Sequence, residues 1–191
     1  MITDIIAKYE FILGSKSPRR QELLKKLIPE FKIVVQPVKE KYSSALNKEE
    51  VATYLSELKA AAFSPKKNEL IITADTIVCI NNEILGKPKS DNEASSMLNR
   101  LSGKTHQVIT GVTLKTELKT ETFYDITEVT FYQLTPLEIK KYILNCQPFD
   151  KAGSYGIQEW MGYFGISKIN GDYFNVMGLP LHLIYRKLKS F

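Results

Sequence analysis

The chain has 191 residues, 43% of them hydrophobic and 25% charged, with ten tyrosines and nine phenylalanines. This excludes a disordered chain and leaves room for one domain over 1–191 that buries a real core, two lobes included. The net charge of +5 and pI near 9.0 permit binding of nucleic acid or of any small polyanion.

Much of the basic excess sits at Lys25-Lys26, Lys66-Lys67 and Arg186-Lys187-Lys189, which read as solvated faces. They are not interleaved with aromatics in the manner of a groove that tracks a strand. No run reaches the roughly 18 apolar residues of a membrane span. The first ten residues, MITDIIAKYE, carry acids and no small-residue cleavage site, unlike a signal peptide. Cys79 lies in an apolar run and reads as a core thiol, Cys146 is isolated, no paired-cysteine metal spacing exists, and a disulfide framework is not expected. A reducing, intracellular compartment is expected.

In chain order, Phe11-Ile12-Leu13 reads as a buried strand that turns at Gly14-Ser15-Lys16. A helix follows, with Ser17 as N-cap and Pro18 at the first position, where a missing N–H costs nothing. Leu23, Leu24 and Leu27 give it one core face. Arg19 and Arg20 occupy its first turn, the positive end of the helix dipole, where cations are mildly unfavourable. Free N–H groups, two serine hydroxyls and two guanidinium forks there suit a phosphate chain; a capped surface helix with solvated arginines fits equally well.

Phe31 to Val35 reads as a strand, and Pro37 to Ser44 as a polar loop holding Glu40. Lys48 to Phe63 is expected to be helical, with Val51, Leu55, Leu58 and Ala62 on one side. Leu70 to Ile72 is a buried strand running into Thr73-Ala74-Asp75-Thr76. Ile77 to Ile80 follows, then an Asn81-Asn82 turn of the primed hairpin kind. Gly86-Lys87-Pro88 is a tight loop. Asp91 or Asn92 caps a helix to Leu101, ended by Ser102-Gly103-Lys104. His106–Thr116 and Thr122–Gln133 read as a long antiparallel hairpin. Pro136 opens a helix through Leu144, and Gln147 to Gln158 is a glycine-bearing loop. Tyr163–Ile169 and Tyr173–Val176 are a candidate strand pair, and Leu181 to Leu188 is a closing helix. Mixed strands and helices without strict alternation predict an α/β fold with a mixed sheet.

Several polar residues need a reason. Asp75 sits between two apolar runs, where a carboxylate is costly; it is a general base, a metal ligand, or a carboxylate bonded to turn amides. Glu40 could join it at a magnesium triphosphate site, which needs one or two carboxylates, or be a surface acid. Lys87 and Lys59 are candidates to neutralise phosphate, or simply snorkel. The amide of Gln158 offers a donor and an acceptor to a pyrimidine edge, or is a surface side chain. No serine–histidine or cysteine–histidine arrangement, Walker loop, dinucleotide motif or zinc spacing is present.

Together the chain resembles the Maf family of nucleoside triphosphate pyrophosphatases. The resemblance rests on Ser15 to Arg20 with Leu23-Leu24, Ala74-Asp75-Thr76, Gly86-Lys87-Pro88, Ser102 to His106, Asp150 to Gln158, Gly171-Asp172-Tyr173 and Val176 to Pro180, in that order over nearly the whole chain. It implies hydrolysis between the α and β phosphates, with Mg²⁺ or Mn²⁺, in the cytoplasm. It also implies an elongated, twisted mixed sheet flanked by helices, as in Maf and ITPase-like proteins, with two lobes, a central cleft and commonly a homodimer. On this resemblance Asp75 is the proton acceptor; the metal is expected to be held through Glu40 or Asp75, the two carboxylates singled out above. Arg19, Thr76 and Gln158 fall on positions tied to substrate choice. Ser15, Ser17, Arg20, Lys59 and Lys87 complete the substrate-binding set. The Gly-Ile-Gln ending is similar to the branch acting on dTTP and UTP, with modified pyrimidine nucleotides included by analogy. Two departures stand out: Lys16, where a small residue is usual, and Glu159-Trp160, where glycine is commoner and which could narrow or reshape the base pocket. The rival expectation is a non-catalytic nucleotide- or nucleic-acid-binding protein linked to cell division, or a pyrophosphatase preferring another base.

Overall fold

The computed structural model describes residues 2–191. Its elements in chain order are α1 (Ile2–Lys8), β1 (Glu10–Leu13), α2 (Pro18–Leu27), β2 (Lys32–Ile33), α3 (Lys48–Ala61), β3 (Glu69–Ile80), β4 (Glu83–Leu85), α4 (Asp91–Leu101), β5 (Thr105–Lys115), β6 (Thr120–Phe131), α5 (Pro136–Cys146), β7 (Ile166–Asn170), α6 (Tyr173–Met177) and α7 (Leu181–Lys189). Two 3-10 turns, Pro148–Asp150 and Ala152–Ser154, and a π-helical turn, Met161–Gly165, lie between α5 and β7.

The strands form one mixed seven-stranded sheet in the order β2-β1-β3-β5-β6-β7, with β4 on β3. β1 runs parallel to β2 and β3, while β3–β4 and β6–β7 are antiparallel. Thr105 meets Thr130 and Thr113 meets Thr122 through their hydroxyls, so β5 and β6 also run antiparallel. Most of β3 and β5 is buried, as expected of strands covered on both faces, and β3 relaxes to half-buried only at its first residue and at Asp75 and Thr76.

The chain forms two compact units. The first holds the chain up to Asp75, Thr110–Asp125 and Gly178–Phe191; the second holds Thr76–Ile109 and Ile126–Met177. In the first, Leu13, Leu24 and Ile28 are fully buried and α7 packs on α1 and α2. In the second, Leu98, Leu101, Phe131, Ile139, Tyr142, Tyr155 and Met161 share one core.

Several sequence expectations are corrected. The strand over 31–35 pairs only at Lys32–Ile33, because β1 ends at Leu13 and the last bond is Val34 N–H to the Leu13 carbonyl. The buried face of α3 is Val51, Ala52, Leu55, Ser56 and Ala60, leaving Leu58 half-buried and Ala62 exposed beyond the helix. Ser56 decides this. Its hydroxyl bonds Thr113 Oγ1 at 2.8 Å and its carbonyl accepts from Thr73 Oγ1 at 2.7 Å, so the helix docks on its small-residue side. The cap of α4 is Ser90, whose hydroxyl accepts the Glu93 N–H, rather than Asp91 or Asn92. Residues Tyr173–Met177 are helical, because the Asp172 carboxylate accepts the Asn175 N–H at 2.6 Å and opens a helical turn. β7 pairs with β6 instead, and its start falls after the π-helical turn. The loop over 147–158 contains both 3-10 turns. The primed turn is present: Asn81 and Asn82 have φ of 51° and 63° between β3 and β4.

Candidate functional site

The first unit brings Ser15, Ser17, Arg20, Glu40, Lys59 and Asp75 into one neighbourhood, built from two local devices. The first is the β1–α2 corner. Ser15, 7% exposed, accepts the Ser17 N–H at 3.2 Å, and Ser17 caps α2 by accepting the Arg20 N–H at 3.4 Å. Both hydroxyls thus hold the turn. Arg20 Nε donates to the Gly178 carbonyl and Nη1 to the Ala74 carbonyl, each at 2.8 Å, with Nη1 also 3.5 Å from Ser15 Oγ. Arg20 therefore ties α2 to the residue before Asp75 and to the start of the C-terminal segment. Burial lowers its pKa, Asp75 opposes that shift, Arg19 adds to it and Glu40 opposes it. Arg19 is half-buried on the same helical turn.

The second device is the seating of α3 on β3. Thr73 and Asp75 share one face of the strand, and Ser56 and Lys59 share one face of the helix. The Thr73–Ser56 bond sets the register that delivers Lys59 to Asp75. Lys59 Nζ donates to Asp75 Oδ1 and lies 3.0 Å from Glu40 Oε1. The Lys59 and Asp75 side chains are 16% and 13% exposed, and Glu40, on its loop, is 50% exposed. Asp75 lies inside the continuous strand β3, not at its end.

The second unit carries Thr76, Lys87 and Gln158. Thr76 is half-buried and Lys87 is exposed. A Cβ at Gly86 would meet nothing within 4 Å, so that loop needs no glycine for space. Gln158 is half-buried, but its Oε1 is a buried acceptor with no hydrogen-bond partner among the described residues. Such an atom costs free energy until a donor meets it. Glu159 turns inward: its carboxylate accepts from Tyr142 Oη at 2.6 Å and pairs with Lys151 Nζ at 2.9 Å. His106 Nε2 shares a 2.7 Å hydrogen bond with the Tyr155 hydroxyl, and His182 Nε2 lies 2.8 Å from Asp125 Oδ2.

The Maf-like protein model matches residues 10–191. A dTTP/UTP pyrophosphatase of Porphyromonas gingivalis is 47% identical over 193 residues, covering 98% of this chain and 97% of that protein. One from Phocaeicola vulgatus is 49% identical over 188 residues, covering 97% of each. The chain belongs to the Maf family. Among solved structures, the Ham1 protein of Staphylococcus aureus superposes with a TM-score of 0.55 at 17% identity, covering 95% of this chain and 98% of that one. A HAM1 protein from Coxiella burnetii gives 0.51 at 13%, covering 96% and 100%. At that identity the likeness is one of fold, and it matches the mixed sheet flanked by helices.

A Maf protein's divalent metal fits the residues present in one respect. Two carboxylates, Glu40 and Asp75, converge on a single cationic atom, and that atom is Lys59 Nζ. Their hard oxygens suit Mg²⁺ or Mn²⁺. Sequence reasoning left Lys59 open between neutralising phosphate and snorkelling, since a lone lysine on a helix carries no sign of its partners. It missed Tyr142 altogether, whose hydroxyl announces itself only through a loop 14 residues further on. No helix among the described residues is long and apolar enough to cross a membrane.

Proposed function

We propose that this Maf protein is a nucleoside triphosphate pyrophosphatase acting on dTTP and UTP, modified pyrimidine nucleotides included. The observation that carries this is the meeting of Asp75, Glu40 and Lys59 beside the Ser15–Arg20 corner. The names of relatives at 47–49% identity supply the reaction and the bases.

In this reading Ser15, Ser17, Arg19, Arg20 and Lys87 face the triphosphate, and Thr76 and Gln158 face the nucleoside. Asp75 accepts a proton from water as its oxygen attacks the α-phosphorus. The bond from the α-phosphorus to the bridging oxygen breaks, and pyrophosphate leaves with that oxygen. Glu40 and Asp75 would hold Mg²⁺ or Mn²⁺, which neutralises phosphate charge. Lys59 keeps the Asp75 carboxylate in place and supplies a further cation. Positioning and charge neutralisation dominate such chemistry. A cytoplasmic setting fits the two free thiols, Cys79 and Cys146, and a homodimer is the proposed assembly.

The test is to incubate purified protein with dTTP, UTP and purine triphosphates, with Mg²⁺ or Mn²⁺, and measure pyrophosphate. Release from dTTP and UTP, lost on chelation, is expected. No pyrophosphate from any of them refutes the reading.

A further inference from the structure

The residues after the Asp150–Gln158 motif do something the motif alone does not reveal. Gly156 to Glu159 is a tight turn, closed by the Glu159 N–H to the Gly156 carbonyl at 3.3 Å. Gln158 is its third residue. One phenol oxygen grips both ends: Tyr142 Oη accepts the Gly156 N–H at 3.0 Å and donates to Glu159 Oε2 at 2.6 Å. Tyr142 is 2% exposed, on the buried face of α5. Burial, then the Glu159 carboxylate, raises its pKa, so the phenol stays a donor.

Lys151 holds the other carboxylate oxygen, with Nζ 2.9 Å from Glu159 Oε1 and 2.8 Å from Asp150 Oδ1. Its side chain is 9% exposed, so this ion pair is shielded from solvent and resists screening. Backbone packing completes the clamp. A Cβ at Gly156 would stand 2.8 Å from the Glu159 carboxyl carbon, and one at Gly162 would stand 1.6 Å from the Ile157 carbonyl oxygen. The contact at Gly162 is with main chain, so glycine is required there and the turn lies directly on the Met161–Gly165 segment, whereas a side chain at Gly156 would displace the Glu159 carboxylate.

We propose that Tyr142 and Lys151, acting through the Glu159 carboxylate, are positioning residues that fix this turn and aim the Gln158 amide at the base. The inference rests on the proposed pyrimidine triphosphate reading. A uracil or thymine ring presents an N–H donor beside a carbonyl acceptor; adenine presents the reverse pair. A glutamine amide matches the first with its oxygen facing the N–H and matches the second when turned over. A turn held still keeps Gln158 Oε1 at its buried, unpartnered position, where a donor is wanted. A loose turn lets the amide read either. Glu159 thus acts as an internal anchor behind the reading residue rather than narrowing the pocket with its bulk.

The test compares wild type, Tyr142→Phe, Glu159→Gln and Gln158→Ala on dTTP, UTP and dATP with Mg²⁺. Tyr142→Phe is expected to raise the pyrimidine KM about tenfold and cut the dTTP-over-dATP ratio of kcat/KM about tenfold, with kcat within about twofold. Glu159→Gln keeps an acceptor for Tyr142 but loses the ion pair, and is expected to fall between; it carries the test if Tyr142→Phe does not fold. A lower melting temperature with an unchanged ratio in both variants overturns the positioning role. If Gln158→Ala collapses the ratio while those variants keep it, the positioning inference alone falls. If Gln158→Ala also keeps it, base reading by Gln158 fails, and the inference with it.

Discussion

Lys59→Met removes an ammonium from between two carboxylates and keeps a stem of similar shape. Removing one partner of a buried pair costs about 3–5 kcal/mol, whereas an exposed pair is worth about 0.2–1 kcal/mol. Lys59 and Asp75 are 16% and 13% exposed, which places them toward the buried end, while Glu40 at 50% adds little. The expected loss is therefore about 2–3 kcal/mol at neutral pH, or roughly 5–10 °C in melting temperature for a chain of this size. The assay is urea denaturation in EDTA of wild type, Lys59→Met, Asp75→Asn and the double variant. With the carboxylate neutralised, the missing ammonium matters less, so the double variant costs about as much as one single. Coupling of about 2 kcal/mol is expected. Mg²⁺ should stabilise Lys59→Met more than wild type, because no ammonium competes for the carboxylates. Coupling below about 0.5 kcal/mol refutes the claim that Lys59 compensates Asp75.

Asp75→Asn should cut pyrophosphate release from dTTP about 100-fold or more while the fold survives, as read by single-substrate kinetics and circular dichroism. His106 is buried against Phe131 and Tyr155, and burial lowers its pKa to about 3. The folded pKa lies below the ordinary 6.5, so below that pH the unfolded chain binds the extra proton. Folding stability conferred by neutral His106 is then lost as pH falls from about 6.5 toward 3, by about 1.4 kcal/mol per unit. His106→Gln should flatten that slope in denaturation at pH 6 and pH 4; equal slopes refute it. Thr135→Ala removes the capping box in which Thr135 accepts the Glu138 N–H and Glu138 accepts the Thr135 N–H, and should cost about 1 kcal/mol in thermal unfolding.

The parts of this fold that are legible in sequence are those whose cause is local. Ser17 and Pro18 announce the start of α2 because cap and first turn are adjacent in the chain. Asn81-Asn82 announces its turn because both residues tolerate a positive φ. Tyr173–Val176 misleads because its aromatic and β-branched residues favour strands, yet one side chain, Asp172, starts a helix there. Asp75 and Thr76 look like an interruption, yet β3 runs straight through them. Polarity falls where burial relaxes, not where the strand stops. The candidate site residues stand out in the sequence by type but not by partner. Arg20 meets carbonyls 54 and 158 residues away, and nothing near Arg20 in the chain encodes that.

Those distant partners bear on how the corner would take up a phosphate chain. In the protein alone, Arg20 already donates to two main-chain carbonyls and Lys59 already meets two carboxylates. On the proposed reading an incoming triphosphate would exchange contacts rather than add them, and its affinity would be the difference between two charged arrangements. The gain is order. A guanidinium held by carbonyls and a hydroxyl held by a cap lose little side-chain entropy when an anion arrives. Arg20→Lys tests this directly. It keeps the charge but cannot reach both carbonyls in a planar fork, so it should raise the dTTP KM about tenfold and lower stability by about 1–2 kcal/mol. Wild-type kinetics and stability in Arg20→Lys would mean that the corner needs only charge, and that the bonds to Ala74 and Gly178 do not organise it.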